Sequence, residues 1–132
     1  MTKQLCTLQQ RLQLVIAIGL LLISGVLPAA EPVQSISMTL GDYTFSPDHL
    51  EVNAGTPVAL TLTNIDSITP HNFILQDETG GLDIDIDIRA GKSTTIEFTP
   101  DVAGNYTFHC SKKLLFMKSH QEKGMHGTLI VK

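Results

Sequence analysis

The chain has 132 residues, enough for one domain with a real core and too few for two. Lys3 and Arg11 are the only charged residues of the first 30, so the remainder keeps 7 Lys and Arg against 13 Asp and Glu. An acidic chain whose few lysines gather at 112–123 lacks the basic stripe that nucleic acid requires, which excludes that partner.

In chain order, Lys3 and Arg11 precede an apolar run over 14–27, and Ala29 and Ala30 follow Pro28, the arrangement of an export signal. The run is shorter than the ~20 residues of a membrane span. Leu27 or Pro28, however, stands where cleavage wants a small residue. Residues 1–30 therefore read as a signal peptide or an uncleaved N-terminal anchor, and 31–132 as an exported domain, periplasmic or otherwise extracytoplasmic, membrane-anchored if the segment is retained. Cys6 leaves with the signal. Cys110 is then alone in an oxidising compartment, where a structural cysteine would have a partner, so it calls for a metal bond or an intermolecular disulfide.

From residue 33 onward the pattern has period two, rich in Thr, Val and Ile, with no amphipathic helix of useful length. Strands are expected over 33–40, 50–53, 57–64, 71–76, 82–89, 93–98, 105–110 and 127–132. They are separated by the turn sequences NAGTP, DETGG, RAGK and TPDVAGN. Seven or eight short strands predict an all-β Greek-key sandwich. Within it, LDIDIDIR sets Leu82, Ile84, Ile86 and Ile88 on one face and Asp83, Asp85 and Asp87 on the other. Those carboxylates read as the solvated side of a half-buried strand, with charge protecting an edge, rather than as a cation site.

Strand parity sorts the metal-ligating side chains. His71 shares a face with Phe73 and Leu75, and Cys110 with Tyr106 and Phe108, so both point inward, whereas His109 points out. Further donors should come from the loop after Cys110, which holds Met117, His120, Met125 and His126. Parity through Leu129 and Val131 favours Met125 over His126, and His120 is the best remaining nitrogen donor. Two imidazoles, a thiolate and a weak thioether match a His₂Cys site with a long axial Met, which holds copper for electron transfer. Zinc is the chemical competitor, although structural zinc sites favour more thiolates.

The ordered set YTFSPDHLEVNAGTPVALTLTN, HNF, AGNYTFHC, then His120 and GMHGTLIV resembles the cupredoxins, the blue-copper family of plastocyanin and azurin, over nearly all of 33–132. The resemblance implies equatorial His71 and His120, a Cys110 thiolate and an axial Met125, holding one copper ion per chain as Cu⁺ or Cu²⁺. It implies that Asn72 ties the two ligand loops together. The chain departs from the family in one place: nine residues, SKKLLFMKS, separate Cys110 from His120 where well-known members have fewer. That longer connection makes Met117, Glu122 and His126 substitutes for the third and fourth donors.

The function implied is single-electron transfer between redox proteins by a monomer that is not an enzyme. The exposed edge of His120 is the expected exit. Leu114, Leu115, Phe116 and Met117, flanked by Lys112, Lys113 and Lys118, form either a lid over the metal or a docking patch for an acidic partner. A periplasmic copper carrier or sensor is the alternative. A copper reductase with a second metal at His109 is the lesser one, since no His-x-His pair occurs.

Overall fold

The computed structural model describes residues 32–132; the expected signal or anchor and Cys6 lie outside the described residues. Among these, nine strands run in chain order: β1 Gln34–Gly41, β2 Thr44–Ser46, β3 His49–Val52, β4 Val58–Asn64, β5 His71–Asp77, β6 Leu82–Ile88, β7 Ser93–Phe98, β8 Gly104–His109 and β9 His126–Val131. They form a four-stranded sheet ordered β2-β1-β4-β7 and a five-stranded sheet ordered β3-β9-β8-β5-β6. Both sheets are mixed, with β1 parallel to β4 and β3 parallel to β9. One 3₁₀ turn, Gln121–Lys123, interrupts the last connection.

The alternation that marks these segments as strands also builds the core. Val58, Leu60 and Leu62 of β4 face Phe73 and Leu75 of β5 and Phe108 of β8 across the sandwich, all buried. Phe45, Phe73 and Phe108 meet as an aromatic trio with centroids 5.1 to 5.9 Å apart. Gly127 is required at its place in β9, because a Cβ there would stand 2.3 Å from the Asp48 carbonyl and 2.4 Å from the Phe108 ring.

The β6 strand is an edge of its sheet. Its outward carboxylates meet protein groups: Asp83 accepts from Gln76, Asp85 from Asn72, and Asp87 pairs with Lys112. Sequence patterning missed β2. It pairs with β1 through a two-residue turn in which Asp42 and Tyr43 both take left-handed φ values, 48° and 59°. That is the geometry of a type I′ hairpin, reached without its usual Asn-Gly pair, and three residues are too few for alternation to show. Because β1 runs parallel to β4, with Leu40 beside Asn64, the Tyr43 turn lies at the same end of the sandwich as the loop before β5, and its ring reaches His120 in the loop after β8.

Candidate metal centre

The site begins with two strand ends. His71 opens β5 and Cys110 directly follows β8, and these strands are neighbours in the five-stranded sheet. Both side chains are fully buried, on the core face with Phe73 and Phe108. The loop 64–71 is fixed from below by the buried Asn64. Its Nδ2 donates to the carbonyls of Thr69 (2.9 Å) and Ile88 (3.0 Å), and its Oδ1 accepts from the Asp66 backbone N–H (3.0 Å). With the backbone of Asp66 so held, its carboxylate accepts from His71 Nε2 at 2.9 Å. A carboxylate can only accept, so Nε2 carries the proton and the Nδ1 lone pair of His71 faces inward. Burial raises Asp66, but the His71 hydrogen bond and the Asp42 N–H outweigh it and hold the carboxyl below its ordinary range.

The nine-residue connection behaves as a pinched loop. The His120 N–H donates to the Lys112 carbonyl at 2.7 Å and the Gln121 N–H to the Cys110 carbonyl at 2.9 Å. Residues 113–119 are thereby extruded, and His120 sits at the neck, close to Cys110. The loop therefore does not fold over the site as a lid: Leu114, Leu115, Phe116 and Met117 are all exposed. Beyond His120, Gly124 takes a φ of 106° that ends the 3₁₀ turn. Met125 then returns inward, its N–H donating to the His120 carbonyl (2.9 Å) and its carbonyl accepting from the Cys110 N–H (3.1 Å). The Met125 side chain is fully buried.

Three donor atoms converge. His71 Nδ1 lies 3.1 Å from His120 Nδ1 and 3.8 Å from Cys110 Sγ, and His120 Nδ1 lies 3.4 Å from Sγ. Three donors in a plane around one ion, at ordinary metal–nitrogen and metal–sulfur lengths, stand about 3.5–3.8 Å apart. The observed triangle agrees within a few tenths of an ångström, so these side chains fit a metal ion without rearrangement. Among the described residues this is the only group of three or more His, Cys, Asp or Glu close enough to hold one.

Met117 and His126 are exposed, and Glu122 is spent on the Ser119 N–H, so none of the three substitutes joins the triangle. His109 is half-buried on the outer face, in register with His126.

Surrounding groups stiffen the triangle. Asn72 Oδ1 accepts from the Ser111 N–H (2.9 Å), its Nδ2 donates to Ser111 Oγ (3.1 Å), and its backbone N–H points at Cys110 Sγ (3.4 Å). Burial pushes the Cys110 thiol up, against the opposing pull of the Asn72 N–H and Lys112. Burial first, and His71 second, hold the His120 imidazole below its ordinary value. The Tyr43 ring packs edge-on against His120, centroids 4.8 Å apart, and Lys123 Nζ lies over the same ring at 3.8 Å. His120 itself is only 7 % exposed. Its approach is a cleft of about 360 Å³ bordered by Tyr43, Ile68, Pro70, Leu114 and Met117, rather than a bare ring edge.

A cupredoxin-like domain profile matches residues 14–131. The chain belongs to the cupredoxin-like family. Comparison with curated protein sequences finds no relative. Among solved structures, this cupredoxin is similar to auracyanin from Roseiflexus castenholzii, at 20 % identity and a TM-score of 0.60 over 75 % of this chain and 97 % of that one. It is similar to auracyanin A, a blue copper protein of Chloroflexus aurantiacus, at 21 % identity and 0.59 over 76 % and 100 %. It also resembles the metal-binding domain of the Streptococcus pneumoniae Cu(I)-exporting P-type ATPase, at 21 % and 0.57 over 76 % and 86 %. At such identities the likeness establishes the fold.

Two contributors to the site escaped sequence reading. Asp66 lay in a stretch that patterning treats as loop, and its only signal was a carboxylate five residues before His71. Tyr43 gave none, because the left-handed turn that aims it was not recognised.

Proposed function

We propose that this cupredoxin is an exported, monomeric, single-electron carrier holding one copper ion between His71, Cys110, His120 and Met125. The observation that carries the reading is the preformed, buried Nδ1–Nδ1–Sγ triangle of a family whose donor set suits copper. Copper bound there supplies a one-electron couple. The chain's own residues do the rest. Asp66 and Asn72 hold His71 and Cys110 in place, so neither must reorganise when charge changes. The aromatic floor of Phe73 and Phe108 excludes water, and the buried Met125 would supply a soft thioether. Burial of all three donors favours a carrier of electrons over an enzyme. It also favours it over a copper carrier or sensor, whose donors must exchange their ion readily.

A redox partner would meet the cleft beside His120. Lys112, Lys113 and Lys123 on the cleft wall would attract an acidic one. The test is an optical and electron-paramagnetic spectrum of the protein loaded with Cu(II). An intense visible thiolate-to-copper band with one copper per chain is expected, and a colourless complex would sink the assignment.

A further inference from the structure

The extruded part of the 111–119 loop is an oddity on two counts. Residues 114–117 close a hydrogen-bonded turn, the Met117 N–H donating to the Leu114 carbonyl at 2.9 Å. Turns in water favour Gly, Asn or Asp, above all where φ is positive. Here Leu115 takes a φ of 46° and Phe116 follows it. All four side chains are exposed, and Phe116 is as accessible as in an extended peptide. A strained, wholly apolar turn held out into water costs stability and gives the domain's core nothing in return.

The charge around it is equally uneven. The described residues are acidic overall, yet Lys112, Lys113, Lys118 and Lys123 surround the turn, with Glu122 the only acid between 112 and 123. Asp77, Glu78 and Asp83 lie at the far ends of β5 and β6, while Asp87 pairs with Lys112, and Asp42 and Asp66 line a neighbouring cleft with Tyr43 and Ile68. The positive charge is therefore local to the turn: Lys113 and Lys118 flank it, with Lys112 held by Asp87 and Lys123 over the Tyr43 ring.

We propose that the turn at 114–117 inserts into the interface of an anionic lipid surface, with the lysines at the level of the headgroups. A projecting apolar tip ringed by flexible cations suits that solvent. The tip sinks into the acyl boundary, the lysine stems extend back to the phosphates, and the strain at Leu115 is offset by burial. A protein socket would have to be as deep as the tip is tall, whereas a bilayer imposes no shape. Exposed Ile68 on the cleft rim lies on the same side. Insertion turns the His120 cleft toward the membrane and toward any redox protein embedded in it. The inference does not depend on copper, and its test needs none.

The chain contains no tryptophan, so Phe116→Trp provides a single reporter at the tip. The full chain is titrated with vesicles of phosphatidylcholine, with and without phosphatidylglycerol. Emission should shift to the blue and be quenched by brominated acyl chains only when phosphatidylglycerol is present. Lys113→Glu with Lys118→Glu should weaken that response by about fivefold or more per lysine. Leu115→Ser in the reporter background should weaken it by about tenfold, with the thermal midpoint unchanged because this side chain touches no core.

Attachment through residues 14–27 alone would leave the reporter at its water value, and that result overturns the proposal. So does equal insertion into uncharged vesicles. Emission already blue-shifted without lipid, in a chain that sediments as a dimer, would assign the tip to a second copy instead. A water-like reporter in vesicles, together with loss of electron exchange with an acidic redox protein on Phe116→Ser, would assign it to a protein socket.

Discussion

The neck and the tip of the loop that follows Cys110 are built on opposite principles. At the neck, every backbone group near His120 is engaged, and the side chains are buried against Tyr43, His71 and Cys110. At the tip, a few residues away, four apolar side chains face water on a strained turn. The contrast teaches that loop length and site geometry are separable. A long insertion costs little when its two ends are hydrogen-bonded to each other, because closure entropy grows slowly with length.

The comparison is tested most severely on the neck side. Cys110→Ser should abolish the visible band and lower Cu(II) affinity by several orders of magnitude, while leaving a folded β-sandwich by circular dichroism. A coloured Cys110→Ser protein would place the metal elsewhere.

Next in size is Asp66→Ala. Without the carboxylate, His71 can present either tautomer, and Cu(II) affinity should fall about 10–100-fold in a competition titration. Asp66→Asn, which keeps an acceptor but loses the charge, should lie between. Equal affinity for all three proteins would mean that packing alone orients His71.

Proton linkage should be smaller but visible. The Cys110 thiol is raised in the metal-free protein, so Cu(II) must displace its proton, and affinity should climb about tenfold per pH unit between pH 6 and 8. His120 acts in the other direction on stability. Its folded-state value is depressed, so below the unfolded value of about 6.5 the unfolded chain takes up the proton first. The metal-free protein should lose stability as pH falls from there. Urea midpoints at pH 7.5 and 5.5 measure this, and identical midpoints would contradict it.

Met125→Leu conserves buried volume, so it should cost less than about 1.5 kcal/mol and keep the copper while raising the reduction potential. An unchanged potential would remove Met125 from the site.

The smallest effect belongs to the tip. Deleting residues 114–117 and joining Lys113 to Lys118 should leave the visible band intact and shift stability by under about 1 kcal/mol. Loss of colour in that deletion would show that the neck depends on its tip.

Much of this arrangement was legible in the chain. Alternation in VALTLTN and LDIDIDI marks strands because a half-buried sheet imposes period two, and parity alone turned His71 and Cys110 inward. What could not be read depends on contacts between distant segments. The neck at Lys112 and His120 is a backbone bond with no side-chain signature. Asp66 reaches His71 only because Asn64 folds the intervening loop. The Asp42–Tyr43 turn has a tyrosine, which tolerates positive φ poorly, where a type I′ turn ordinarily has glycine, so composition argued against it. Exposure of the tip ran against the hydrophobic pattern, which equally allowed a lid.

The path between His71 and Cys110 has a consequence for the order of assembly. After β5 and β6 the chain leaves the five-stranded sheet, adds β7 to the other sheet and only then returns as β8. The two donors are near neighbours in space but separated by a complete crossing of the sandwich. No local hairpin can bring them together early, and the triangle closes only once β8 has paired with β5 across 39 positions of chain. An ion that needs both donors at once therefore finds them only after this long-range pairing has formed.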